Sequence, residues 1–216
     1  MRRKTRNFNL GNIGIGSDSP ISVQSMTKTD TRDVDKTVNQ INELELAGCD
    51  IIRCAVPNID AAMALKQIIK KTNIPVVADI HFEYTLALEA IKSGIHGLRI
   101  NPGNIGQRKR IVTVVNAAKD AGIPIRIGVN SGSLEKDILQ KHGSPTPDAL
   151  VESAERHLGI LDELNFTNVK VSVKSANVNI MKESYRKLAK ITDVPFHLGV
   201  TEAGTFEIGS IKSSIG

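Results

Sequence analysis

Along the chain, short β-branched runs alternate with polar turns and with apolar positions at helical spacing. The runs lie at 21–26 (ISVQSM), 51–56 (IIRCAV), 75–80 (PVVADI), 97–101 (GLRIN), 124–130 (PIRIGVN), 168–175 (NVKVSVKS) and 196–200 (FHLGV). Between them, Val34, Val38, Ile41 and Leu44 follow the i, i+4, i+7 rule. Leu65, Ile68 and Ile69 do so too, as do Ile111, Val114, Val115 and Ala118. That spacing predicts amphipathic helices, each with one stripe turned to a core. Helix stops follow: Gly48, Gly94 and Gly122 stand where a left-handed residue closes the last turn. Thr72-Asn73-Ile74-Pro75, Thr167-Asn168-Val169 and Thr192-Asp193-Val194-Pro195 are read as stops built on Asn or Asp. Caps are expected at Asp30 or Thr31, at Asn58, and at Thr146 with Pro147 in the first helical position.

Strands alternating with helices predict a parallel sheet. The starts of the runs are nearly evenly spaced, apart from one long interval between the fifth run and the sixth. That cadence suits a TIM-like (β/α) barrel of about 250 residues. A doubly wound sheet is the rival, with its usual five or six strands against seven runs here. The long interval holds an insertion at 131–147, with a helical piece from Leu134 to Lys141. The cadence places the next strand beyond Gly216, and 205–216 reads as the opening of a helix. The expectation is therefore one barrel over 1–216, truncated after about seven βα units. A complete seven-stranded sheet is the competing reading.

Composition narrows the class. With 40% apolar and 24% charged residues, the chain is not of the disordered type. No apolar stretch approaches the roughly 18 residues of a membrane span. The basic start is not followed by the apolar segment of a signal peptide. Two cysteines, Cys49 and Cys54, exclude a disulfide scaffold and cannot complete a four-cysteine zinc or iron–sulfur site. They read as packed thiols. The formal charge of +5 points to an anionic partner. Five Phe, two Tyr and no Trp leave few platforms for base stacking, so a small anion fits better than nucleic acid.

Barrel sites sit at the C-terminal ends of strands, and alternation decides which side chains share a face. Arg53 lies in the second run; Arg99 and Asn101 share a face in the fourth. Arg126, Gly128 and Asn130 share one in the fifth, and Lys170, Ser172 and Lys174 in the sixth. Arg and Lys are almost never buried unpaired. Cations in four strands thus predict an inward, diphosphate-sized anion site. The rival is outward side chains snorkelling between helices. Asp79 and His81 close the third run on one face, as substrate contacts, a structural hydrogen bond or two metal ligands. His197, Gly199 and Thr201 share a face in the last run. Glu202 follows as a general acid or base, or as a carboxylate favouring a helix N-terminus. Asn130-Ser131-Gly132-Ser133 leads toward a helix start, either a phosphate cradle or a capped turn. Arg108-Lys109-Arg110 reads as a solvated face. Arg2, Arg3, Lys4 and Arg6 read as a frayed tail or as contacts to an anionic partner.

Seven colinear motifs carry a family resemblance: VQSMTKTDTRD (23–33), GCDIIRCAVP (48–57), PVVADIHF (75–82), LRINPGNIG (98–106), IRIGVNSGSLEKD (125–137), SVKSAN (172–177) and HLGVTEAG (197–204). Over essentially its whole length the chain resembles the 4-hydroxy-3-methylbut-2-en-1-yl diphosphate synthases. These are iron–sulfur enzymes of the methylerythritol phosphate route to isoprenoids. The resemblance implies an N-terminal TIM-like barrel and a C-terminal domain carrying a [4Fe–4S] cluster. It implies reductive ring-opening dehydration of 2-C-methyl-D-erythritol 2,4-cyclodiphosphate to the linear allylic diphosphate. It further implies a flavodoxin or ferredoxin electron donor, a homodimer when full length, and a bacterial cytoplasmic or plastid-stromal setting. Carried over by motif, Arg53, Arg99, Arg126 and Lys174 grip the diphosphate. His81, Asn101, Asn130 and Ser131 line the pocket, and Glu202 is the acid. The chain departs from the family in lacking the cluster cysteines, so it is expected to be inactive alone. The alternatives are a pterin- or phosphosugar-binding barrel lyase or transferase without a cluster, and a basic module for nucleic acid. No nucleic-acid or membrane partner is expected.

Overall fold

The computed structural model describes residues 2–216, with side chains for all of these except Pro102 and Gly103. It divides into two compact units: Asn7–Arg126, and Met1–Arg6 together with Ile127–Gly216. The first unit opens with an antiparallel hairpin of β1 (Phe8–Leu10) and β2 (Ile13–Ile15). Parallel β/α repeats follow: β3 (Gln24–Met26), α1 (Val34–Leu46), β4 (Ile51–Ala55), α2 (Ile59–Lys71), β5 (Val76–Ile80), α3 (Tyr84–Lys92) and β6 (Gly97–Ile100). A single turn, α4 (Pro102–Ile105), and then α5 (Arg108–Asp120) lead to β7 (Ile125–Asn130), inside which the division falls. The second unit continues with α6 (Lys136–His142), α7 (Pro147–Glu163), β8 (Val169–Lys174), α8 (Val178–Leu188) and α9 (Phe206–Ile215).

In the first unit the strands pair in chain order, and the register matters for the site. Met26 lies opposite Arg53, Ala55 opposite Asp79, and Asp79 opposite Arg99. Buried stripes form as the periodicity predicts, with Val38 and Ile41 on α1, Leu65 and Ile68 on α2, and Ile111, Val114, Val115 and Ala118 on α5. The β1–β2 hairpin packs Leu10 and Ile15 on Ile51 and Val77, covering the strand beginnings. Gly11 makes its turn at φ +59°, and an added Cβ would lie 2.9 Å from the Pro75 ring. No run was expected there, because each arm is only three residues long and the second is interrupted by Gly14.

Several local expectations are corrected. Asp33, not Asp30 or Thr31, caps α1 by accepting from the Lys36 amide. Thr31 instead donates to the Ala55 carbonyl at 2.7 Å. Asn58 and Thr146 cap α2 and α7 as expected, and Gly48, Gly94 and Gly122 all have positive φ. Among the Asn and Asp stops, none of Asn73, Asn168 and Asp193 is left-handed. The left-handed residue after α7 is Asn165, at φ 52°.

The second unit holds the largest departure. The 196–200 run makes one bridge to β8, Val171 with Phe196, and no further strand. The Val171 amide donates to the Pro195 carbonyl and the His197 amide to the Val171 carbonyl. These two bonds make one complete parallel rung. The next rung would join the Val173 amide to the His197 carbonyl. The Tyr185 hydroxyl stands between them, accepting from Val173 at 3.1 Å and donating to His197 at 2.6 Å. The N-terminus is not a frayed tail. Arg3 donates to the carbonyls of Thr192 and Val194 and lies over the Phe196 ring, and Arg6 pairs with Asp193 and Asp162. The helix expected at 205–216 forms as α9, with none of its residues buried.

Candidate functional site

In the first unit the chemistry gathers on one carboxylate. Asp79, near the end of β5, is 2% exposed. Its Oδ1 lies 2.9 Å from Arg99 Nη1; its Oδ2 lies 3.3 Å from Arg53 Nε and 3.5 Å from His81 Nε2. Neighbouring parallel strands in the registers given above bring these groups together. Burial opposes ionisation of Asp79. The hydrogen bond with His81 and the charges of Arg53 and Arg99 outweigh that penalty and hold the carboxyl far below its usual range. Burial also draws the Arg53 pKa down, against the pull of Asp79. Arg53 Nη2 in addition lies 2.9 Å from the Met26 sulfur. Two guanidinium groups thus share one carboxylate, and the cluster keeps an excess of positive charge. Arg99 and Arg126 are both buried. Neither therefore leaves its head in bulk water as a snorkelling side chain does. Asn101 is buried one residue past β6, and His81 is exposed after β5.

In the second unit Lys170 and Ser172 are buried along β8, and Lys174 is half-buried at its end. A Cβ on Gly199 would come within 3.3 Å of Lys174 Nζ, so the bare glycine leaves room for the ammonium group. Glu202 is exposed. Its backbone is left-handed, at φ 49°. That conformation is uncommon outside glycine and is found disproportionately where function over-determines the backbone. Its carboxylate lies over Gly132, with Oε1 3.5 Å from the position of an added Cβ. Asn130 ends β7, and Ser131–Ser133 forms a 3₁₀ turn. The small-residue turn thus leads into a helix as expected, with α6 beginning at Lys136 rather than Leu134. No helix N-terminus is presented at Ser131.

Two features are not in the sequence reading: the hold of Asp79 on two arginines, and Glu135. Asp79 was paired there with His81 alone, and its hold on two arginines becomes evident only from the strand register. Glu135, just before α6, accepts from the Ser153 hydroxyl at 2.8 Å and lies 2.7 Å from His157 Nε2. Burial works against its charge, but His157, its own backbone amide and Ser153 prevail, holding it at about 2. The available signal was His157 itself, which falls on the buried stripe of α7 with Leu150, Ala154 and Leu161.

The residues present do not fit an iron–sulfur cluster, which needs several thiolates at one place. Cys54 is buried and its thiol is pushed up to about 11 by that burial, a hydrogen bond with Thr27 opposing. Cys49 is buried with its sulfur 3.0 Å from the Ile51 carbonyl. Among the described residues no three His, Cys, Asp or Glu side chains gather as a metal site, and no helix is long and apolar enough to cross a membrane.

A family profile described as the GcpE TIM-barrel domain matches residues 5–216. The 4-hydroxy-3-methylbut-2-en-1-yl diphosphate synthase (flavodoxin) of Clostridium perfringens is 60% identical over 215 residues, covering the whole of this chain and 62% of the relative. The protein of the same name from Clostridium acetobutylicum is 58% identical, with the same coverage. The chain thus spans about three fifths of the length of the curated relatives it matches. Among solved structures, 3-dehydroquinate dehydratase from Geobacillus kaustophilus aligns with a TM-score of 0.65 at 16% identity, over 98% of this chain and 83% of that one. At that identity the likeness shows a shared fold alone.

Proposed function

Because the chain belongs to the GcpE TIM-barrel family, we propose that it is the substrate-binding barrel of a 4-hydroxy-3-methylbut-2-en-1-yl diphosphate synthase. The substrate is the cyclic diphosphate of methylerythritol. The overall change is reductive opening of the ring with loss of water, giving the linear allylic diphosphate.

The observation that carries this reading is the pair of guanidinium groups fixed by one buried carboxylate. Asp79 sets the rotamers of Arg53 and Arg99, and the forked guanidinium geometry answers the oxygens of a diphosphate. Arg126 and Lys174 add positive charge. His81, Asn101, Asn130 and Ser131 supply neutral or switchable hydrogen bonds that orient the sugar-derived carbons and hydroxyls. Glu202 gives a proton to the departing oxygen as water forms, the role of a general acid. Its backbone is left-handed and its carboxylate lies over Gly132. The electrons are assigned to no residue of this chain. Their source is flavodoxin, the donor in the relatives' names.

Calorimetric titration of the folded chain with the cyclic diphosphate tests the reading. Saturable one-to-one binding that weakens steeply with added salt is expected, since ion pairing with phosphate is screened. Absence of saturable binding at low salt would refute it.

A further inference from the structure

Where the β8 ladder is interrupted, one atom stands between the two groups that would pair next. In the 196–200 run Phe196, Leu198 and Val200 alternate with His197 and Gly199, and no proline follows Pro195. Such a run is built for a strand. Its first rung with β8 is formed. Continuation in the same register would join Val173 N–H to His197 C=O, then Gly199 N–H to Val173 C=O. The Tyr185 oxygen occupies the first of these bonds with both partners satisfied, the Val173 amide donating to it and its own proton going to His197. The side chain is held there by burial on the Met181, Tyr185 and Leu188 stripe of α8 and by its ring, 5.3 Å from that of Phe196.

We propose that the Tyr185 hydroxyl is a wedge that stops the pairing after one rung and so keeps residues 198–202 open around Lys174 and Glu202. Tyr185 is then a positioning residue, acting through the segment it deflects. Beyond the wedge, Gly199 leaves room for the Lys174 ammonium, and the chain turns left-handed at Glu202. A zipped ladder would draw Gly199 onto Val173 and carry both features away from their present places. The consequence for ligand binding rests on the functional reading given above. The wedge itself does not.

Tyr185→Phe in the full chain removes the hydroxyl and keeps the ring. Residue-resolved amide exchange is expected to show the Gly199 amide becoming about tenfold better protected. Affinity for the cyclic diphosphate is expected to fall about tenfold, the worth of one charge-assisted hydrogen bond. Asn177→Ala serves as the comparison, since it uncaps α8 and leaves the buried stripe that holds the hydroxyl intact; it is expected to lower the melting temperature with no gain of protection at Gly199. Unchanged or faster exchange at Gly199 in Tyr185→Phe would overturn the wedge. Slower exchange with unaltered affinity would overturn the positioning role. If the wild type binds no cyclic diphosphate, the functional reading and the positioning role fall together. Gain of protection at Gly199 in that case would still establish the wedge.

Discussion

Asp79 shows how a buried charge organises the side chains around it. Two arginines and a histidine converge on its carboxylate from neighbouring strands and the loop after β5. A buried ion pair often contributes little net stability, but removing one partner leaves the others uncompensated. Asp79→Asn is therefore expected to cost about 3–5 kcal/mol by urea denaturation at neutral pH. No measurable loss would mean that Arg53 and Arg99 are neutralised from elsewhere. The individual candidates were legible in the sequence as polar residues at alternate positions of apolar strands. The hub was not, because Asp79 and Arg99 meet only once the register of β5 and β6 is known, and no local pattern encodes register.

At the scale of elements, the runs from 21 to 175 all yield strands and the predicted stripes yield helices, because period and β-branching are local properties. The 196–200 run fails for a tertiary reason, since a hydroxyl from α8 takes its hydrogen bonds. The β1–β2 hairpin was missed because its stability comes from covering Ile51 and Val77 rather than from its own short arms. The insertion after β7 is tied down by Glu135, whose partners His157 and Ser153 lie on α7. Its carboxyl is held at about 2, against an ordinary 4.5. A group depressed in this way stabilises the fold above its ordinary value and loses that contribution as the pH falls between the two. Melting temperatures of the wild type and Glu135→Gln should therefore differ at neutral pH and converge as the pH drops through that window. A constant difference down to the acid limb would show that the Glu135 carboxylate is not what links α6 to α7.

For the molecule as a whole, the small positive charge carries information only through its placement. The exposed cations of α5 are one kind of surface feature; Arg99, Arg126 and Lys170, buried within strands, are another. The sequence could show that no apolar stretch here is long enough for a membrane-spanning helix and that two cysteines make no disulfide scaffold, and the motifs could point to a family. Cys49 and Cys54 are the packed thiols the sequence suggested; which groups they neighbour, a backbone carbonyl and a hydroxyl, comes from the structure. The most direct test is a crystal structure of the chain grown with the cyclic diphosphate. Phosphate oxygens within hydrogen-bond distance of Arg53 and Arg99, with Asp79 still bridging the two, are expected. Ligand bound elsewhere, with those two guanidinium groups turned only toward Asp79, would contradict the account.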